Sequence, residues 1–213
     1  MSTTDVQELF LGGGQAIVDA LGDPAVEAAW DRPSVLEEQL VSSVAGHLAR
    51  SGIWTVAEYL EAGTGSGPPD FESAGAYFAA VAVGASAEVR RGIRERGAGV
   101  ALLGRAEVVR RSQESLRQLE TDLAALPAGH LMTVFQGKVI GLSDYLVTRI
   151  VEQAVHLDDL ARSVGRDPWP LPIGHLDLTI SVANDIACRV HGPEATVRAL
   201  YRRGFAEQVF PVL

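Results

Sequence analysis

LSDYLVTRIVEQAVHLDDLARSVG, residues 142–165, decides the fold. Its apolar residues return at three- and four-residue intervals, so it reads as one amphipathic helix. Ser143 is placed to cap its start and Gly165 to end it. Inside it, Arg149, Glu152, His156 and Asp159 are separated by three, four and three residues. At ~100° per residue these four share one face. Such a face is either a solvated stripe or part of a site. The choice depends on what the rest of the chain brings to it.

Outward from this helix the helical period dominates. VQELFLGGGQAIVDAL (6–21) places Val6, Leu9, Phe10, Ile17 and Leu21 at near-helical spacing, with a kink expected at Gly12–Gly14. GDPAVEAAWDRPS (22–34) is a turn-rich connection, and Ser34 with Glu37 and Glu38 behind it predicts a helix start. From there to Gly63 runs a long apolar-periodic helix or helix pair, followed by the loop GTGSGPPD (63–70). Residues 71–97 are Ala-rich and helical, ending near Gly97, and 100–126 form another long helix stopped by Pro127. HLMTVFQGKVIG (130–141), with β-branched residues and two glycines, predicts a short extended or hairpin segment. RDPWPLPIG (166–174) is a rigid loop, and two more helices follow it. There is no internal repeat and no linker long enough to divide the chain. The expectation is a single domain over 1–213 and an all-α bundle.

Composition narrows the function. With 213 residues, 47% apolar and 21% charged, the chain has the make-up of a globular domain with a sizeable core. No stretch approaches the ~18 to 20 unbroken apolar residues of a membrane span, and MSTTDVQELF lacks the pattern of a secretory signal. A net charge of −9 disfavours nucleic acid and anionic membranes as partners. The local basic run VRRGIRERG (89–97) reads as a solvated helix end. Cys188 is the single cysteine, so no intrachain disulfide forms and a reducing, cytoplasmic setting is expected. In its apolar helical pattern Cys188 reads as a small buried residue rather than a nucleophile. LGGGQAIVDAL has neither the Lys-Ser/Thr ending of a phosphate loop nor a preceding strand, and no G-x-S-x-G elbow occurs.

Glu152 and His156, one turn apart, can point at one ion. A carboxylate oxygen and an imidazole nitrogen make a borderline donor set suited to zinc and other late divalent metals. Asp159 is placed to accept the second ring N–H of His156 or to pair with a basic residue on a neighbouring helix. A catalytic zinc takes three protein ligands and keeps an open position. Of the other histidines, His47 lies mid-helix in LVSSVAGHLARSG among apolar and small residues, where a polar group needs a partner. His130 and His175 stand beside turn residues, and His191 ends a helix. The competing reading is a satisfied core histidine and a solvated acidic face.

HLARSG on an early helix, followed about a hundred residues later by YLVTRIVEQAVHLDDLARSVGRD, resembles the metal-binding domain of the mycothiol-dependent maleylpyruvate isomerase family. That family belongs to the DinB-like, YfiT-like helical bundles. The specific string is R-x-x-E-x-x-x-H-x-x-D-L-A, and EAAWDRPSVL resembles the family's W-x-x-P-S segment. The resemblance spans about residues 5 to 205. It implies a DinB-like four-helix bundle with additional short helices. It also implies His47, Glu152 and His156 as metal ligands, with Arg149 and Asp159 as catalytic residues beside them. Zinc is the metal implied, with nickel as the alternative, and a mycothiol-like thiol is the cosubstrate. The remaining partner is a small electrophile, and a homodimer follows by analogy alone. A chain of this length is expected to lack the separate C-terminal α/β domain of the full-length isomerase.

The function expected is a divalent-metal-dependent enzyme that activates a low-molecular-weight thiol for transfer or isomerisation. Two readings stand beside it: a metal-dependent hydrolase with water in the open position, and a bundle that binds metal or ligand without turnover.

Overall fold

Residues 142–164 form one unbroken helix, α8 (Leu142–Val164), and the chain is arranged around it. The computed structural model describes residues 2–212. Three other helical runs complete a four-membered ring with α8. They are α1 (Thr3–Gly22), α7 (Arg105–Ala125), and α3 (Val41–Ala49) continued through a π-helical turn at Arg50–Trp54 into α4 (Thr55–Glu61). α1 packs on α8 and α7, and α3 packs on the same two helices. Phe10, Ile17, Leu48, Ile53, Leu119, Leu123, Leu146 and Ile150 meet inside the ring and are sealed from solvent. Each contributes roughly 1.5–3 kcal/mol of burial.

Around the ring lie α2 (Pro24–Ala29), α5 (Ala74–Val81), α6 (Ala87–Ala101), α9 (His175–His191) and α10 (Pro193–Tyr201). The all-α bundle expected from the sequence is therefore the fold, although the additional helices are not all short: α9 has 17 residues. The hairpin is also present. β1 (Leu131–Val134) pairs antiparallel with β2 (Lys138–Gly141) from Leu131↔Gly141 to Val134↔Lys138, turning at Gln136 and Gly137 with positive φ. It anchors the 63–70 loop, since Gly65 N–H donates to the Leu131 carbonyl and Asp70 accepts from Val139 N–H. Among the described residues no helix is long and apolar enough to cross a membrane.

Four local expectations are corrected. α1 is not interrupted at Gly12–Gly14 but continues through them as one helix. These glycines instead admit neighbouring groups: a β-carbon on Gly13 would overlap Gln153 Oε1 and His175 Nε2, and one on Gly14 would overlap Leu116. Ser34 starts no helix. Its hydroxyl accepts from Leu36 N–H, Ser34 N–H donates to the Gln39 carbonyl, and the helix begins only at Val41. This local side-chain bond competes with helix formation. The Ala-rich stretch is two helices, because Ser86 caps a fresh start by accepting from Val89 N–H, and α6 runs on past Gly97 to Ala101. Finally, α8 begins at Leu142 directly from β2, with Gly141 in the capping position. Ser143 lies inside the first turn and donates to Thr3 Oγ1 on α1.

Candidate metal centre

α3 and α8 cross with His47 on one and the Glu152–His156 face on the other. α6 closes the third side. Its Gly97 lies so near α3 that a β-carbon there would stand 2.9 Å from the Ser43 carbonyl and 3.0 Å from His47 Cβ. Glycines at 46 and 97 thus let two helix backbones touch beside His47.

The four residues of the α8 stripe divide according to depth. Glu152 and His156 face His47. His47 Nε2 is 3.1 Å from His156 Nε2, and each of these nitrogens is 3.4 Å from Glu152 Oε2. The two imidazoles meet edge to face at 88°. His156 Nδ1 is 3.0 Å from Asp159 Oδ2, which suits Nδ1 as the donor and leaves Nε2 as the nitrogen that can offer a lone pair to a cation. Arg149 is buried one turn before Glu152, over the Tyr145 ring, and lines the same cavity as Glu152 and His47.

Three acceptor atoms facing one another at 3.1–3.4 Å repel unless a cation lies between them. For metal–ligand bonds of ~2.0–2.1 Å, the edge of a coordination tetrahedron is ~3.4 Å. The triad fits a divalent ion in donor type and in spacing, and it leaves further coordination positions toward the adjoining cavity. In the metal-free protein a proton substitutes. Burial acts to raise the Glu152 carboxyl, but hydrogen bonds from His156 and His47 and the Arg149 charge hold it well below the usual range. Burial likewise opposes the His156 charge, yet Asp159 and Glu152 push that group up to about 9. His47 is driven down, chiefly by burial.

A cavity of about 140 Å³ adjoins the triad, lined by Tyr59, Tyr77, Phe78 and Tyr145, with Val89, Ile93 and Arg96 from α6. Tyr59 and Tyr77 both stand edge-on to Tyr145. Burial raises the Tyr77 and Tyr145 phenols, so both remain donors at neutral pH. A larger hollow, about 460 Å³, lies between α8, the 168–174 loop and α9. Its charged groups, Asp158 and Asp177, are exposed, and no member of the triad reaches it.

The remaining sequence candidates lie elsewhere. His130 is half-buried at the hairpin's start, His191 is exposed at the end of α9, and Cys188 is partly buried on α9. His175 was not legible as a core residue. It opens α9 fully buried, with its Nε2 3.0 Å from Gln153 Oε1. Gln153 in turn donates to the carbonyls of Phe10 and Gly52, tying α1, the π turn, α8 and α9 together. Its sequence trace is indirect: the side-chain-free surface at Gly13 that receives it. The tyrosines of the cavity, and Ser51, also escaped the sequence reading, because they come from separate helices.

The model of the mycothiol maleylpyruvate isomerase N-terminal domain family matches residues 12–161, a span containing His47, Glu152 and His156. No curated protein and no solved structure matches the chain.

Proposed function

Because the chain belongs to the mycothiol maleylpyruvate isomerase N-terminal domain family, we propose that it activates a low-molecular-weight thiol, mycothiol or a close analogue, against a small electrophile. On this reading His47, Glu152 and His156 hold a divalent metal, zinc by preference. The observation that carries it is the convergence of three lone-pair donors within 3.4 Å beside a cavity of small-molecule size. A bound divalent ion would lower the pKa of a coordinating thiol and so supply thiolate near neutral pH.

The chain's own residues have separable tasks. Asp159 fixes the His156 tautomer, and with it the direction of the Nε2 lone pair. Glu152 contributes the negative charge that favours a cation over a neutral occupant. Tyr59, Tyr77 and Phe78 exclude water and give the reactants an apolar wall. Cys188 does not line this cavity, so the sulfur nucleophile comes from the cosubstrate.

The test is consumption of free thiol. Metal-loaded protein is incubated with mycothiol and a reactive enone, and the remaining thiol is titrated. Metal-dependent acceleration that is lost in Glu152→Gln is expected. Ester hydrolysis without thiol loss would replace this reading with a hydrolase. Metal binding with neither activity would leave a binding bundle.

A further inference from the structure

Glu152 is followed on α8 by a polar residue that does not line the cavity. Gln153 is fully buried. Its amide nitrogen donates to the Phe10 carbonyl at 3.1 Å and to the Gly52 carbonyl at 3.0 Å. Its Oε1 lies 3.0 Å from His175 Nε2, which donates to it. Turning the amide over would set Oε1 against two carbonyls, so the partners settle its orientation. Gln153 is thus held at three points, by α1, the π turn and α9. One of these points joins the two runs that carry the triad: it lies one residue from Glu152 on α8 and five residues from His47 on the other run.

Stability alone does not account for this trio. His175 Nδ1 is buried and has no hydrogen-bond partner, which is unfavourable. Two helical positions must also be glycine to admit Gln153. A β-carbon on Gly13 would overlap its Oε1, and one on Gly52 would overlap Ile17 and stand 3.4 Å from Gln153 Cγ. Glycine inside a helix is itself destabilising. An apolar filling of the same space would avoid these costs. What the polar trio adds is one permitted arrangement, because a fully engaged amide cannot slide along its partners as a methyl group can.

The triad needs such an arrangement. Glu152 and His156 approach from α8 and His47 from α3, so their spacing depends on how α8 is rotated about its axis. A side-chain tip lies ~5–6 Å from a helix axis, so a rotation of ~10° moves it by ~1 Å. Metal–ligand distances hold to within ~0.2 Å. We propose that Gln153, braced by His175, is the positioning residue of the metal centre: it fixes the rotation of α8 against the π turn and so keeps Glu152 and His156 in register with His47. The part of this that concerns metal rests on the ligand assignment above; the part that concerns the geometry of the triad does not.

The experiment measures zinc affinity of the full chain by competition with a chromophoric chelator. Gln153→Met keeps the volume and removes all three hydrogen bonds. His175→Phe removes the brace, and His175→Gln retains an N–H donor for Gln153 Oε1. Leu119→Ala, a fully buried position on α7, is the control for lost stability. Circular dichroism and urea melts establish that each variant is folded where affinity is measured. Gln153→Met and His175→Phe should weaken zinc about tenfold or more, and His175→Gln less than about threefold. Leu119→Ala should stay within about twofold, although its urea midpoint falls as far. The visible bands of bound cobalt(II) should shift in Gln153→Met and not in Leu119→Ala. Wild-type affinity in folded Gln153→Met would overturn the proposal, and so would an equal loss in Leu119→Ala. If Gln153→Met does not fold, the His175→Phe and His175→Gln pair decides in the same way. The imidazole NMR shifts of His47 and His156 in metal-stripped protein give a reading without the ion. They should move in Gln153→Met and not in Leu119→Ala. If the wild-type chain binds no divalent ion, the ligand assignment fails, and these shifts alone decide whether Gln153 orders the triad; unmoved shifts would overturn that as well.

Discussion

His156 Nδ1 stands 3.0 Å from Asp159 Oδ2, one turn further along the same helix. One ring nitrogen is thereby committed as a donor, and the other turns its lone pair to Glu152 and His47. Asp159→Asn keeps the shape but exchanges a charged acceptor for an amide. Metal affinity should fall about 10–100-fold, the usual cost of losing such a support. Competition with a chromophoric chelator measures it, and unchanged affinity would remove Asp159 from the site.

The ligand triad itself predicts a pattern among histidines. His47→Ala, His156→Ala and Glu152→Gln should lose metal under mild chelator challenge, read by elemental analysis. His130→Ala and His191→Ala, half-buried and exposed respectively, should keep it. If His47→Ala holds its ion as firmly as these controls, the three-ligand assignment is wrong.

His175 should make the protein acid-labile. Burial holds its pKa down to about 4, below the ~6.5 of an exposed imidazole. The unfolded chain therefore takes up the proton first. The stability from neutral His175 is fully present above pH 6.5 and is lost as the pH falls from there toward 4. The total is up to about 3 kcal/mol. His175→Gln should flatten the fall in urea midpoint across that window relative to wild type. Parallel curves would mean that His175 does not carry the effect.

Two glycines in helices should respond oppositely to alanine. At Gly13 a methyl group displaces Gln153 and His175 from their hydrogen bond, and a loss of about 2 kcal/mol or more is expected. At Gly99, within α6, nothing lies within 4 Å. Alanine there should be neutral or stabilise by up to about 1 kcal/mol. Thermal melts of the two variants decide it; equal shifts would contradict the tight seam at Gly13.

Cys188→Ser should leave metal content and any turnover within a few-fold of wild type. Abolished turnover in a folded variant would transfer the nucleophile from a cosubstrate to the chain.

What the sequence made readable was local. The α8 stripe is set by residue spacing on one helix, so its shared face follows from geometry alone. The hairpin at 130–141 is likewise encoded in adjacent residues. Gly12–Gly14 predicts a kink from sequence alone because a missing side chain looks the same whether it permits a bend or admits a neighbour. Only the arrival of Gln153 and His175 from distant helices distinguishes the two. In the sequence His175 stands beside turn residues at a helix start, with nothing to mark it as buried, because its partner lies 22 positions away. Ser143 failed as a cap because β2 delivers the chain to α8 already extended at Gly141.

The π turn at Arg50–Trp54 separates two duties along one continuous helical run. Upstream of it, the rotational phase of the helix aims His47; downstream, it aims Thr55 and Tyr59 at the cavity wall. A widened turn of this kind amounts to one residue inserted into a helix. The turn takes up that extra residue within a single ~360° step, so the helix beyond it keeps its heading and the consequence falls on the turn's own carbonyls. Those of Ser51 and Gly52 accept from Arg149 and Gln153 on α8. A single stretch of 21 residues, Val41 to Glu61, is thereby clamped to α8 by its backbone between the residue that faces the triad and those that face the cavity.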